Sequence, residues 1–518
     1  MSDKQLKPAV VLVADRTLSA DYRILFEGIF ATMQTTQVPE IAMRKFVSPP
    51  AKTDSTGRAV TAPLGLRRVE SALLKYTDLT EDDIVCTTPD ALGKLLGPWV
   101  KVVGVSSSDP LGQGMSNTTT TSFWEGELYT RYWTRQMLEQ IYQAKEKYDF
   151  KVVGGGAGAW QWNRYDDETA DKTIDVVIEG YFEGQGPEIF KKLLSGEETE
   201  EYVCEKTTAI ENLQPITNAS LLGIVELSRG CGRGCKFCTM SRNKMAHLPS
   251  DTIISDLKTN VRAGVRSVVS GSEDFFRYGS ETTKPDFDKL CSLLYEMQKI
   301  KELAFMQIDH ANITSVMQMT EQELKEVRRL LTWSKKAEYL WVNMGVESAS
   351  GYLVAANCPG KVAPCKPDQW EEVVKETVDK MSRTGFFSVV SLVLGLPGET
   401  GEDLSRTLKL VKYLEQKDAV IFPVFYEPYS MEEIQQGKRF SVEKMNARHL
   451  ELYSTCYEIN FRKVPLLFWD NQRAGGVSWA KRAAMRVLGK TEVRAWRNKF
   501  VKIGKQIEER KSTGIINE

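Results

Sequence analysis

Cys231, Cys235 and Cys238 stand in the run Ser-Arg-Gly-Cys-Gly-Arg-Gly-Cys-Lys-Phe-Cys, directly after a strand-like segment at residues 221–227. Three thiolates this close together on one loop can hold three irons of a cubane 4Fe-4S cluster and leave the fourth iron open to an exogenous ligand. A structural zinc site wants four protein ligands, usually as two separated pairs. Here neither a fourth cysteine nor a histidine stands at a suitable spacing, since His247 lies nine residues beyond Cys238. The spacing therefore points to a cluster with an exchangeable corner.

Such a loop must be carried by a strand, and the flanking sequence supplies a repeating series of them. Strand-like runs at 221–227, 267–270, 305–308, 339–346 and 387–394 alternate with helical stretches at 253–263, 287–299, 321–333 and 370–384. Repeated strand-helix units imply a barrel or partial barrel with its chemistry at the C-terminal ends of the strands, which is where the cysteine loop falls. A separate series precedes it. Apolar runs at 9–14, 83–86, 102–106, 152–154 and 175–179 alternate with helical stretches at 22–33, 91–96 and 128–147, the rhythm of a doubly wound parallel sheet. Residues 48–65, rich in Pro, Thr, Ser and Gly, read as an insertion or a loop over its crevice. The division expected is 1–205, 206–432 and a mainly helical 433–518.

The cysteine loop, with Phe237 before its last cysteine, resembles the signature of the radical S-adenosylmethionine (radical SAM) superfamily. The resemblance implies that the open iron chelates the amino and carboxylate groups of S-adenosylmethionine and that later strand ends hold the rest of it. Ser270-Gly271-Ser272-Glu273 resembles the Gly-Gly-Glu element that meets the methionine amino group, with Ser272 in place of the second glycine. The same residues also read as an ordinary helix-start turn. Gly345-Val346-Glu347-Ser348 and the run from Gly395 through Pro397-Gly398-Glu399-Thr400 fall where the family places its Gly-x-Glu-Ser and Gly-Leu-Pro-Gly-Glu-Thr elements. Glu347 would accept from ribose hydroxyls, Ser348 belongs to the same element, and Gly395 would let adenine lie against backbone. Pro397-Gly398 reads equally as a turn before a helix capped by Thr400.

A Rossmann-like domain ahead of such a barrel resembles the cobalamin-binding domain of cobalamin-dependent radical SAM methyltransferases. The residues carrying this are Val103-Gly104-Val105-Ser106 with Ser107 and Ser108, Gly154-Gly155-Gly156, and Glu179-Gly180. The serines offer hydroxyls, and the glycines would let a nucleotide tail lie against bare backbone. The loop Asp109-Pro110-Leu111-Gly112 either covers the lower face of the corrin or is a plain turn. No histidine occurs before His247, so the lower cobalt face would lack one. The fold class expected is α/β: an N-terminal Rossmann-like cobalamin-binding domain, a radical SAM partial (β/α)6 barrel and a helical C-terminal region.

The activity this resemblance implies is methylation of an unactivated carbon. A 5′-deoxyadenosyl radical takes hydrogen from the substrate, and methylcobalamin supplies the methyl group. A methylthiotransferase would need further cluster cysteines in the front domain, where only Cys86 and Cys204 occur. Tyr426 and Glu427, after the last strand, are the candidate catalytic or substrate-contacting residues, with core packing the alternative. The whole chain is similar to methanogen enzymes that methylate Cα of a glutamine in methyl-coenzyme M reductase. That similarity implies a protein substrate, its alpha subunit, a post-translational modification in methanogenesis, and an external electron donor.

Composition sets outer limits. At 518 residues and 42% hydrophobic the chain buries a large core and divides into domains. A net charge of −1 gives no global attraction to nucleic acid or anionic membranes. No apolar run is long enough to span a bilayer, and the opening MSDKQLK lacks an apolar signal core, so a reducing cytoplasm with free thiols is expected. The basic tail from residue 478, with Trp479, Trp496 and Phe500 interleaved, reads as a solvated helix pair with its aromatics inward, or as a docking surface for an acidic protein.

Overall fold

Val10–Ala14 is a run of five apolar residues with no exposed member, the pattern of a strand covered on both faces. A computed structural model describes residues 6–332 and 339–513. In it this run is β1 of a six-stranded sheet with β2 (Ile84–Thr87), β3 (Val102–Ser106), β4 (Lys151–Gly155), β5 (Val176–Glu179) and β6 (Tyr202–Cys204). The order is β2-β1-β3-β4-β5-β6 and every pairing is parallel. One face packs Val10 and Leu12 against Leu66, Leu73, Ile189 and Phe190 of two helices. The other packs Val11, Val13, Val103 and Val105 against Met137, Leu138 and Ile141 of helix Tyr129–Lys145. The sheet is doubly wound. Its strand order reverses between β1 and β3, so a crevice opens at their C-terminal ends.

Helix Leu64–Tyr76 is absent from the sequence expectation because its polar residues face inward and blur the apolar period. Arg67, Arg68 and Glu70 are buried. Arg67 Nη1 donates to Glu70 at 2.9 Å and its Nε to the Ala219 carbonyl at 3.0 Å. Arg68 donates to Asp256 at 2.6 Å and to the Gln214 carbonyl at 2.9 Å. The expected helix at 91–96 is only a 3-10 turn, Leu92–Lys94. Residues 48–63 do form a loop, turned by Asp54, which accepts from the amides of Thr56 and Arg58 at 2.9 and 3.0 Å.

The second series is β7 (Ile224–Glu226), β10 (Ser267–Gly271) and β11 (Phe305–Gln307) in one sheet, and β12 (Leu340–Glu347), β13 (Phe386–Leu394) and β14 (Ala419–Phe425) in another, with a short antiparallel pair β8 (Ser228–Arg229) and β9 (Ala246–His247). The pairings β12-β13 and β13-β14 are parallel. The two sheets are stitched by a parallel bridge between His310 and Asn343, with Asn343 N donating to Asp309 O at 3.0 Å. Six strands thus follow one another in chain order, a partial barrel. The first half of the expected strand at 221–227 is instead a 3-10 turn with Leu222 at φ +57°. Helix Glu321–Leu330 ends before the expected Trp333, which lies outside the described residues.

Helix Ala447–Ala474 covers the edge strand β14. Asn460 receives the Ile421 N–H at 3.0 Å and donates back to the Ile421 carbonyl, supplying to one residue the pairing a further strand would give. The following helix, Trp479–Ser512, buries Trp496, Phe500, Ile503 and Ile507, with Trp496 4.4 Å from the Tyr457 ring. Trp479 stays 68% exposed. The inward-aromatic reading of the tail therefore holds for its second half. The chain divides into two compact units. The first is Met1–Asn117, Trp124–Val225 and Leu248–Val268; the second is Thr118–Phe123, Glu226–His247 and Val269–Glu518, so the terminal helices belong with the barrel. Among the described residues no helix is long and apolar enough to cross a membrane.

Candidate active site

The cysteine loop is shaped by its glycines. Gly230, Gly232 and Gly234 have φ of +70°, +68° and +68°, values that glycine alone adopts without strain. Alternating left-handed residues turn successive amides toward one side, the backbone concavity that suits an anionic cluster. Side chains then fix the loop. The Ser241 hydroxyl lies 2.8 Å from the carbonyls of both Cys235 and Cys238, and Arg277 Nη1 donates to the Cys231 carbonyl at 3.1 Å. Arg233, 3% exposed, donates to the carbonyls of Gly360 and Ala363 at 3.1 and 3.3 Å and to the Ser315 hydroxyl at 3.0 Å. It also faces Asp274 at 3.4 Å. Lys236 N donates to Asn357 O at 3.0 Å and Gly360 N to Arg233 O at 2.9 Å, strapping residues 357–360 along the loop.

The three thiols differ. Burial pushes Cys231 up to about 12, helped by Cys238 and Glu273, and burial likewise raises Cys238. Cys235 is lowered to about 7, first by a hydrogen bond from Cys358, while burial opposes and Lys361 assists. Among the described residues no three His, Cys, Asp or Glu side chains converge on a single-ion site. His247 is no ligand of the loop: its Nε2 lies 2.8 Å from the Ser280 carbonyl. Phe237 packs edge-on against Tyr426 at 6.3 Å.

Glu273 follows β10 at the same end of the barrel. Among the described residues its carboxylate makes no hydrogen bond, and its pKa is raised chiefly by burial, with His310 opposing and Asp309 and Asp274 adding to the rise. It is open to an ammonium donor. Ser272 is spent inside the protein, 2.5 Å from the Ser228 hydroxyl, and Gly271 O accepts from Leu227 N at 2.8 Å. Glu347 sits just past a bulge, where the β12-β13 register shifts between Gly345 and Glu347. Its φ is +63°, a conformation that costs a non-glycine residue about 1–3 kcal/mol and tends to mark functional sites. It is 5% exposed and paired with Lys361. Ser348 is also internal, its hydroxyl 3.1 Å from Thr407 Oγ1 and its carbonyl accepting from Trp370 Nε1 at 2.9 Å. Gly395, at φ +79°, is closed on its Cα side: a Cβ there would strike the Phe440 ring. Its N–H donates to Glu399 at 2.9 Å, and Glu399 meets His449 Nε2 at 3.0 Å.

Tyr426 is 1% exposed with its hydroxyl 3.3 Å from Glu433, and burial raises its pKa. Glu427 is 5% exposed and meets Arg439 at 2.7 Å. Both candidate catalytic side chains are engaged within the protein. His310 is the more open group here. Its imidazole is 47% exposed and 3.0 Å from Asp309; desolvation pulls its pKa down, but Asp309 outweighs this and holds it at about 9.

In the first unit, β3 ends at Ser106 and the neighbouring loops press together. Ser107 N donates to Gly155 O at 3.3 Å and Gly158 N to Ser107 O at 3.0 Å. Gly156, at φ +94°, would place a Cβ 2.6 Å from Ser106 Oγ and 2.7 Å from Ser107 O, and a Cβ on Gly154 would meet the Trp162 ring at 2.9 Å. These two glycines are thus required by packing within the protein. Gly155 is the one of the three where a Cβ would fit, in ordinary contact with the Ile178 carbonyl at 3.8 Å. Asp109 organises its own loop, accepting from the amides of Gln113 and Gly114 at 2.7 and 3.1 Å and from Gln161 and Asn117 side chains at 2.5 Å each. Leu111, beside Pro110, packs into the core under the sheet, and Gly112 turns at φ +71°. Ser108 backbone lies against Gly158, and Gly180, at φ +102°, against Glu205. Glu179 accepts from Tyr202 OH at 2.6 Å. Asp15, absent from the sequence expectation, ends β1 at the crevice, fully buried, and caps the next helix by accepting from Thr17 N at 2.9 Å.

Residues 225–411, which carry the three cysteines, Glu273, Glu347 and Gly395, match the family model of the Radical SAM superfamily. Residues 225–411 form a radical SAM domain. Among curated proteins, the ribosomal protein uS12 methylthiotransferase RimO of Leptospira biflexa serovar Patoc is 26% identical over 256 residues, 45% of this chain and 48% of that protein. The human threonylcarbamoyladenosine tRNA methylthiotransferase is 26% identical over 204 residues, 39% of this chain and 32% of that one. The chain thus spans about half, or less, of the length of these relatives. Among solved structures, the radical S-adenosylmethionine methyltransferase TsrM from Kitasatospora setae, with cobalamin and a [4Fe-4S] cluster bound, superimposes with a TM-score of 0.53. It is 13% identical, with 83% of this chain and 78% of that one covered, a likeness of fold. The radical SAM domain, by its matched span, leaves the six-stranded sheet, Tyr426 and the terminal helices outside.

Proposed function

We propose that this protein is a cobalamin-dependent radical SAM methyltransferase acting on an unactivated sp3 carbon. The observation that carries the reading is the loop of Cys231, Cys235 and Cys238 sharing one barrel end with the unpaired Glu273 carboxylate and the strained Glu347. The three thiols suit a 4Fe-4S cluster with an open iron, Glu273 the ammonium of S-adenosylmethionine, and Glu347 its ribose. The crevice between β1 and β3, with Ser106 and the bare Gly155, suits cobalamin; the first unit has no histidine to offer cobalt. When bound, these cofactors supply a carbon-centred radical and a methyl group. The protein binds and orients them and keeps water away from the reacting carbon.

Methylthiotransfer is suggested by the names of the relatives. Against it stands the sheet order, which puts Cys86 on β2 and Cys204 on β6, the two outermost strands. Five strand spacings of about 4.8 Å separate them by about 24 Å, too far to share a second cluster. The substrate we propose is Cα of a glutamine in methyl-coenzyme M reductase, supported by the overall resemblance of the sequence. The experiment is anaerobic reconstitution with iron, sulfide and cobalamin, then reductant, S-adenosylmethionine and a glutamine-centred peptide of that protein. Methylated peptide with equal deoxyadenosine and S-adenosylhomocysteine supports the reading. Deoxyadenosine without S-adenosylhomocysteine would instead favour a non-methylating rearrangement or cyclisation. Methylation of a tetrapyrrole or lipid in place of the peptide would move the activity to a small molecule.

A further inference from the structure

Helix Trp479–Ser512 carries two stripes. Trp496, Phe500, Ile503 and Ile507 form the buried one. The other runs through Val487, Lys490, Arg494, Arg497, Val501 and Lys505 at steps of three and four residues, the spacing of one helix face. Val487 and Val501 are 64% and 62% exposed, and Trp479, about two turns before Val487, is exposed as well. Among the described residues nine large hydrophobic side chains are exposed, and five of them, Leu466, Trp479, Val487, Leu488 and Val501, lie on the last two helices. Such a concentration marks a surface that meets another molecule. Its charge names the kind of molecule. Over residues 479–505 nine Lys and Arg stand against one acid, Glu492, on a chain of net charge −1. In the stripe itself Arg497 meets Glu458 at 2.7 Å, while Lys490, Arg494 and Lys505 make no ion pair among the described residues.

We propose that this stripe docks an acidic helix of the protein substrate. The inference rests on the reading that the substrate is a protein. Carboxylates three and four residues apart on such a helix meet Lys490, Arg494 and Lys505, and apolar side chains between them cover Val487 and Val501. A second copy of this chain fits worse, because an isologous pairing brings the stripe to itself and sets cation against cation. An anionic membrane takes apolar residues gathered on one face with cations on the other, whereas here the cations interrupt the apolar residues. Nucleic acid would engage the cations through its phosphates and leave the two valines uncovered.

The test gives the reconstituted protein two substrates: the unmodified alpha subunit of methyl-coenzyme M reductase, and the glutamine-centred peptide, which lacks the rest of that subunit's surface. kcat and KM are measured for the native protein and for two variants, Lys490→Glu/Arg494→Glu/Lys505→Glu and Val487→Ser/Val501→Ser. Charge reversal should lower kcat/KM for the subunit by about ten- to a hundredfold, through KM, and the difference should fade at about 1 M ionic strength, where charges are screened beyond about 3 Å. The valine variant should raise KM for the subunit at either ionic strength. Both variants should methylate the peptide as the native protein does, which also shows that they fold. Unchanged kinetics on the subunit, or no preference of the native protein for the subunit over the peptide, would overturn the proposal. Equal losses on both substrates would make the stripe part of the fold and overturn it too. Affinity for tRNA or for vesicles of anionic phospholipid that charge reversal abolishes, with the subunit methylated as before, would hand the stripe to nucleic acid or membrane instead. A native protein that methylates neither substrate would overturn the substrate reading and this inference with it.

Discussion

Replacing Arg233 by methionine should unfasten the cysteine loop. The guanidinium lies 3.4 Å from Asp274, where an effective dielectric of about 20 gives an attraction of about 5 kcal/mol before desolvation is charged against it. Truncating one partner of a buried pair costs about 3–5 kcal/mol, because the other charge is left behind. The lower end applies here: Asp274 would keep the Ser315 hydroxyl at 2.6 Å, the Asn312 amide at 3.1 Å and Arg277 at 3.9 Å. With a denaturant slope of about 3 kcal/mol per molar urea, the unfolding midpoint of the cluster-free protein should fall by about 1 M. Reconstituted iron and sulfide should fall with it, since the Gly360 and Ala363 carbonyls lose their donor. The double variant Arg233→Met/Asp274→Asn, which neutralises the orphaned carboxylate, should recover about 2 kcal/mol relative to the sum of the single changes. A midpoint within about 0.2 M of native, with full cluster content, would refute the reasoning and leave the loop to its glycines and Ser241.

Burial raises the Glu273 pKa, so the folded chain holds that proton more tightly than the unfolded chain. Its contribution is present below the ordinary glutamate value of about 4.3 and lost as pH rises through the raised value. Glu273→Gln should therefore make the ligand-free protein more stable near neutral pH, a gain that vanishes below about pH 4.3 and is read from thermal melts against pH, while S-adenosylmethionine affinity measured by dialysis collapses. Gly156→Ala, at φ +94° and against Ser106 and Ser107, should cost about 1–3 kcal/mol of stability in urea unfolding. Gly155→Ala, where a Cβ meets the Ile178 carbonyl only at 3.8 Å, should change stability little and reduce cobalamin uptake measured by its visible absorbance. Cys86→Ser/Cys204→Ser should leave reconstituted iron at one cluster, about four atoms per chain, whereas iron falling by half would reveal a second cluster.

Most of the parallel strands are legible in the sequence, because β1, β3 and β13 are valine-containing, mostly apolar runs that are buried almost throughout. Polar residues that turn inward are what hide the rest. Helix Leu64–Tyr76 carries Arg67, Arg68 and Glu70 into the core, and β6 is three residues in an acidic tract. The cysteine loop and the carboxylates after β10 and β12 are visible as spaced motifs. Their supports are not: Arg233, Asp274 and Lys361 act on residues distant in sequence, as in the contact of Arg233 with Gly360, and Ser241, though local, carries no motif of its own. Gly154 and Gly156 are apparent as glycines, but the reason differs. A neighbouring loop or ring in the same protein fills the space that the sequence alone assigns to a ligand.

The most direct measurement is the product balance of the reconstituted, cobalamin-loaded protein given reductant, S-adenosylmethionine and the glutamine peptide, with and without cobalamin. A cobalamin-dependent radical SAM methyltransferase gives deoxyadenosine, S-adenosylhomocysteine and a peptide heavier by one methyl group in equal amounts, and no methylation when cobalamin is withheld. Transfer of a methylthio group, or methylation indifferent to cobalamin, would contradict the assignment.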